Sequence, residues 1–311
     1  MKRRTLAALL HPFGKTRSER KRRAVLLLLA AGLFSSSTAG AEAADAAGEP
    51  RPPLLRISAT AWLASLEGHL QTPSGGRVGT TSPGRPRLEE IGLGGLQVLP
   101  TVDVQLRIAR THELHLAYVH IDLRGSAVLE DPLVSQGVLF PAGSPVESGL
   151  ELPLLRLGYR AHWLRLNPGR WHIAPEVGIA GFDFAYILNN TLNNTLDPPS
   201  AVASVDRRYA VLFPYLGFLA ERPLLDRLDF EGEVFGSAGI NGTSYAELDL
   251  RLVYALLRRR HASVSGMLGL RGLWLYRRDG QKPVPNEIDV RVGSFSSDPW
   301  AGFYVGLRLE F

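Results

Sequence analysis

Trp300-Ala301-Gly302-Phe303-Tyr304-Val305-Gly306-Leu307-Arg308-Leu309-Glu310-Phe311 decides how the rest of the chain is read. Every odd position from Ala301 to Phe311 is apolar, while the even positions hold Trp300, Gly302, Tyr304, Gly306, Arg308 and Glu310. A period of two marks an extended strand with one oily face and one mixed face. A strand of a soluble sandwich has the same period, so the alternation alone does not name the solvent.

Two further features choose between water and lipid. The chain stops on Phe311 without a polar tail, whereas the ends of soluble domains usually fray into water. An aromatic-flanked alternating last strand that closes on Phe resembles the final strand of bacterial outer-membrane β-barrel proteins. That resemblance implies that Phe311 is part of an assembly signal, and that the partners are outer-membrane lipid and the barrel-assembly machinery.

At the other end, a basic stretch closes on Arg22-Arg23 and is followed by the apolar run Ala24 to Phe34 and then by small residues up to Ala39-Gly40-Ala41. Eleven apolar residues are too few for a membrane-crossing helix, which needs about 20. The three-part pattern predicts a cleaved signal peptide over 1–41, cut after Ala41, with an uncleaved anchor as the alternative. Residues 42–53 read as a short disordered leader, and 54–311 as one barrel domain.

Charge follows this division. The chain carries +5 overall, but residues 1–41 hold nine Lys or Arg against Glu19 alone, which leaves the remainder at −3. A basic nucleic-acid surface is therefore excluded for the mature part. The chain has no cysteine, so disulfides and thiolate metal sites are excluded as well.

Read in order, alternating runs fall at about 55–69, 99–109, 114–124, 150–166, 171–187, 209–221, 228–240, 243–254, 263–277 and 300–311. The run at 209–221 is apolar on both faces, so its phase is open. Asn241-Gly242 between two alternating runs is a strong hairpin signal. Residues 71–88, 125–148, 189–207 and 278–299 read as loops, with Glu287 to Val292 pairing inside the last. Long and short connections alternate except at Asn241-Gly242. The expectation is an all-β, antiparallel, up-and-down transmembrane barrel of about 10 strands (8–12), monomeric. Trp163 and Trp171 near one end, with Trp274 and Trp300 near the other, fit two aromatic girdles.

The phase of each strand follows from energy, because Arg or Lys on a lipid face costs ~2–4 kcal/mol at midplane. Asp229, Glu231, Glu233, Glu247, Asp249, Arg251, Arg271, Arg156 and Arg160 are therefore assigned to the lumen. A ten-stranded lumen is narrow, so the first reading is an ion-pair plug in a structural or surface-interaction barrel. A narrow porin-like channel for small polar solutes is the second reading. A third is a hydrolase at the extracellular rim, with His69, His120, Asp122 and Asp183 as candidates. His120 and Asp122 lie side by side on one face, a poor geometry for a base and its orienting acid. His112, His115, His162, His172 and His261 fall near periplasmic turns without metal-ligand spacing, so no metal or cofactor is expected.

Overall fold

The computed structural model describes residues 53–71, 86–135, 138–162, 164–166, 171–191, 204–240, 242–260, 262–278, 287–298 and 301–311. The segments 1–41 and 42–53 therefore lie outside the described residues, Pro53 apart, as do Ala41, Trp163, Asn241, His261 and Trp300.

The chain passes through β1 (Leu55–Gln71), β2 (Leu96–Ala109), and β3 (His112–Val119) continued by β4 (Asp122–Val128). A small hairpin follows, β5 (Leu133–Ser135) and β6 (Val138–Phe140), and then β7 (Pro145–Glu151) continued by β8 (Leu154–Ala161) and β9 (Leu164–Leu166). Next come β10 (Trp171–Asn190), β11 (Ser204–Leu225), β12 (Leu228–Ile240), β13 (Thr243–Arg258) and β14 (Ser263–Arg278). The last stave is β15 (Glu287–Gly293) continued by β16 (Phe303–Glu310). With each broken stave counted once, ten antiparallel staves close into a barrel. Closure is made by β16 on β1, from Arg56 opposite Glu310 to Trp62 opposite Tyr304. The Phe311 amide donates to the Leu55 carbonyl at 2.9 Å.

The expected strand set holds, with two corrections. Glu287 to Val292 does not pair within its own loop. It enters the wall as β15, between β1 (Leu66 opposite Val292) and β14 (Leu273 opposite Val292). The stretch 125–148 is not one loop either. β4 pairs with β7, which lengthens the wall on this side, and β5 pairs with β6 in a separate two-stranded sheet. Gly and Ser in Pro145-Val-Glu-Ser-Gly-Leu-Glu hid a short alternation of inward Val146, Ser148 and Leu150. The hairpin expected at Asn241-Gly242 closes with Ile240 opposite Thr243, and Gly242 takes φ 72°, the left-handed turn geometry that glycine allows. The open phase of 209–221 resolves with Leu212, Leu216 and Phe218 outward and Val211, Phe213 and Tyr215 inward.

Outside, the turn half of the barrel is an apolar band: Val102, Leu155, Leu157, Val177, Ile179, Leu216, Phe218, Leu250, Leu252, Leu268, Val305 and Leu307 are all exposed. Strands crossing lipid must present such a surface and satisfy their backbone through a closed ladder. The loop half presents Glu67, Asp122, Arg124, Glu147, Glu151, Asp206, Arg208 and Arg291 outward instead.

Candidate functional site: a divided lumen and its rim

Inside the lipid-facing half, inward positions carry charge. Seven buried carboxylates, from Asp103, Glu113, Glu176, Glu231, Glu233, Glu247 and Asp249, face five buried guanidiniums, from Arg156, Arg160, Arg251, Arg271 and Arg308. Cross-strand register builds the contacts: Glu231 stands opposite Arg251, Asp249 opposite Arg271, and Arg160 opposite both Glu113 and Glu176. Arg160 reaches Glu176 at 2.7 Å, Glu233 at 3.1 Å and Glu113 at 3.3 Å. Arg251 holds Glu231 at 2.5 Å and Glu233 at 2.7 Å, so Glu233 links two arginines. Arg271 donates to Asp249 at 2.7 Å, Arg156 to Glu247 at 3.3 Å, and Arg308 to Glu231 at 2.7 Å. Planar guanidinium forks suit this bridging role, since one fork satisfies two carboxylates.

Four members of this layer were not singled out from sequence: Asp103, Glu113, Glu176 and Arg308. Each was visible as the inward partner of an apolar outward neighbour. His115, expected near a turn, is buried in the layer, with Glu176 at 3.2 Å and Asp103 at 3.5 Å from its ring nitrogens. Asp229 differs from the rest of the acidic hairpin. It sits half-buried toward the turn end and forms no ion pair among the described residues. Space for the layer comes from Gly158, where a Cβ would stand 2.2 Å from the Glu176 carboxylate and 2.4 Å from the Tyr215 hydroxyl.

Above this layer the lumen changes character. Tyr215, Tyr245 and Tyr304 form a ceiling: each hydroxyl donates downward, to Glu176 (2.5 Å), Glu247 and Asp249 (2.6 Å) respectively. Their rings belong to the apolar core above. The Arg156 guanidinium packs on the face of the Phe235 ring at 3.8 Å, and Trp62 lies 5.9 Å from the guanidinium of Arg271. Aromatic side chains suit such a boundary, since one end is apolar and the other polar or electron-rich.

Beyond the ceiling, inward positions are Leu66, Leu70, Leu123, Val146, Leu150, Phe184, Leu188, Val290 and Val292, all buried. Leu88, Ile91 and Leu93 from the β1–β2 connection, with Leu133 and Phe140 from the β5–β6 region, close the top. The Tyr186 phenol sits in this upper core, and burial raises its pKa above the ordinary range. The internal void bounded by Ile121, Leu152, Leu154, Tyr245, Leu273 and Leu275 is too tight to admit a water molecule.

The rim candidates do not come together. His69 faces outward and meets Glu287 at 3.3 Å, and His120 meets the Tyr118 hydroxyl at 3.0 Å. Asp122 lies 3.7 Å from Arg124 on the outer wall, and Asp183 faces outward on β10. An outer groove of about 420 Å³ is lined by Glu67, His69, Arg87, Glu89, Asp289 and Arg291, with Ser297 at its edge. The Ser297 hydroxyl donates to Glu67 at 2.6 Å rather than to His69. The described residues include no cluster of three or more His, Asp or Glu suited to a metal ion.

With this geometry in place, the chain is an outer-membrane β-barrel: ten closed antiparallel staves, an apolar lipid band and short turns at the end that holds Phe311. No protein-family model and no curated protein matches it. Among solved structures it is similar to the outer membrane protease OmpT from Escherichia coli (TM-score 0.43, 8% identity, 86% of this chain and 99% of that one). It is also similar to the translocator domain of the autotransporter NalP from Neisseria meningitidis (TM-score 0.37, 12% identity, covering 94% and 96%). A third is the transport unit of the autotransporter AIDA-I from Escherichia coli (TM-score 0.38, 8% identity, covering 96% and 99%).

Proposed function

We propose that this protein is a non-conducting outer-membrane scaffold that holds an interaction surface above the membrane. One observation carries the reading: the lumen is filled along its length, by ion pairs below the tyrosine ceiling and by apolar side chains above it. An ion entering from the loop side would have to displace the packed side chains of the upper core. From the turn side it would meet guanidiniums and carboxylates already engaged with one another, and breaking one such buried pair costs ~3–5 kcal/mol. The staves that rise beyond the lipid band then serve presentation, since their outward faces are polar and reach solvent. The test is planar-bilayer recording of the refolded chain. No steady conductance is expected; a stable ion-selective conductance altered by Glu233→Gln would replace the scaffold with a narrow pore.

Export and assembly belong to the same proposal. Cleavage near Ala41 would show as an amino terminus at Glu42 or Ala44 in outer-membrane fractions, and deletion of Phe311 would lower the yield of heat-modifiable barrel.

A further inference from the structure

The two aromatic girdles of the outer wall differ in the charge set among their rings. On the loop side, outward Trp274 stacks on Tyr276 at 6.4 Å and donates its indole N–H to a carboxylate, Asp289, at 2.9 Å. On the turn side the rings gather round a cation. Even-numbered residues of β11 face outward, with Leu212, Leu216, Phe218 and Leu224 exposed. Arg222 shares that parity and stands directly opposite Phe230 of β12. Trp171 opens β10 with the parity of exposed Val177 and Ile179. The Arg222 guanidinium lies 5.3 Å from the Trp171 ring, and Trp171 meets Phe230 edge-on at 6.2 Å.

A cation on a lipid-facing wall is costly at the bilayer centre and tolerated near an interface. Arg222 is followed at once by Pro223 and the turn into β12, so it sits at the headgroup level of the leaflet that the turns face. Exposed Leu224 and Leu225 at that turn keep this end of the wall against the membrane. Among the described residues Arg222 makes no ion pair, so the fork that Trp171 steadies has no protein anion to hold.

The nearby acids lie elsewhere. Glu221 and Glu310 each approach Arg56 to 3.2 Å at the mouth of the lumen. Asp229 stands opposite Pro223 with the inward parity of buried Glu231. The terminal carboxyl oxygen of Phe311 accepts the Leu54 and Leu55 amides at 2.7 and 3.2 Å, where β16 closes on β1. On the outer wall and the exposed turns from β11 to β14 this leaves Arg222, Arg227, Arg259 and Arg260 against Asp226. We propose that Arg222, braced by Trp171 and Phe230, binds the phosphate of an anionic phospholipid in the leaflet facing the turns. The guanidinium fork takes two phosphate oxygens, and the rings pack on the glycerol and the first chain carbons. A zwitterionic headgroup would bring its ammonium to a wall where Asp226 is the single described acid, so a headgroup of net negative charge is favoured. The site lies outside the lumen and does not depend on whether the lumen conducts.

The experiment titrates the full chain, refolded in detergent micelles, with phosphatidylglycerol or phosphatidylcholine and counts bound lipid by native mass spectrometry. Phosphatidylglycerol should be retained at least about tenfold more tightly than phosphatidylcholine. Arg222→Gln should remove most of that preference, and Arg124→Gln, on the outer wall of the loop half, should leave it unchanged. Should Arg222→Gln fail to fold, Trp171→Leu with Phe230→Leu must lower the preference, because an unbraced guanidinium keeps its charge and loses its orientation. Equal retention of the two lipids by the wild type would overturn the proposal. So would a preference that survives Arg222→Gln, or one lost equally with Arg124→Gln. Displacement of the bound lipid by inorganic phosphate would show a site for free anions and overturn it too.

Discussion

The two halves of the barrel solve the same topological problem with opposite polarity. In the turn half, Leu250 and Leu252 point out while Asp249 and Arg251 point in. In the loop half, Glu147 and Glu151 point out while Val146 and Leu150 point in. The register shifts, at Arg107/Ala109, Pro223/Leu225, Ser237/Ile240 and Ala255/Leu257, lie near strand ends and not where the polarity changes, so the inversion does not come from a register slip. It comes from the medium outside. Where lipid bathes the wall, charge is displaced to the lumen and has to be paired there. Where water bathes the wall, the wall carries the charge, and the interior packs as in a soluble barrel. Tyr215, Tyr245 and Tyr304 mark the plane where one regime gives way to the other.

The comparison predicts that each half fails for its own reason. Removing Arg160 takes one cation from each of Glu113, Glu176 and Glu233 in a buried layer, so Arg160→Ala should destabilise by ~3–5 kcal/mol, read as a lower urea midpoint in detergent. Arg251→Ala leaves Glu231 with Arg308 and Glu233 with Arg160, so it should destabilise in the same direction but by less. In the loop half the matching change is Phe184→Ala, fully buried among apolar neighbours, with a loss of ~3–5 kcal/mol from cavity formation. Raised salt should leave the Phe184→Ala deficit unchanged. Equal losses for Phe184→Ala and for a change at an exposed position would mean that the upper lumen is not packed.

A smaller effect separates the outer faces. Leu250→Arg places a cation in the lipid band and should cost ~2–4 kcal/mol. Val128→Arg, on the outward face of β4 where the residue is 63% exposed, should stay within ~0.5 kcal/mol. Similar penalties at both positions would put β4 in lipid and erase the boundary. Smallest of all is Arg124→Ala. Its contact with Asp122 is 3.7 Å long and the Arg124 side chain is 68% exposed, so the change should be within ~0.5 kcal/mol.

The sequence displays one half of this arrangement far better than the other. Strands such as Leu248 to Tyr254 alternate between strongly apolar and charged residues, so both their existence and their phase are legible. The inward set Asp249, Arg251, Arg271, Arg156 and Arg160 follows from lipid energetics alone. Which carboxylate each arginine meets depends on register across the barrel, and Glu113 and Glu176 come together on Arg160 only after closure. The upper half is harder to read because its alternation is mixed. Phe182, Phe184 and Tyr186 are interleaved with Asp183 and Ala185, a pattern equally suited to lipid-facing aromatics. Leu88, Ile91 and Leu93 lie in a Gly-rich connection whose role as a lid depends on contacts distant in sequence. The rim histidines pointed to chemistry through composition, but period two places His69 and His120 on the outer wall, on separate staves.

The inversion itself is tested most directly by site-directed spin labelling, which the absence of native cysteine makes simple. Single cysteines at outward positions Leu268, Leu250, Leu216, Arg208, Glu147 and Asp122 would carry nitroxides in reconstituted bilayers, with accessibility to oxygen and to a polar nickel chelate measured at each. The account predicts oxygen-dominated relaxation at 268, 250 and 216, and chelate-dominated relaxation at 208, 147 and 122, with the crossover near Trp274 and Tyr276. Oxygen-dominated relaxation continuing through 208 and 147 would place the loop half in lipid and contradict it.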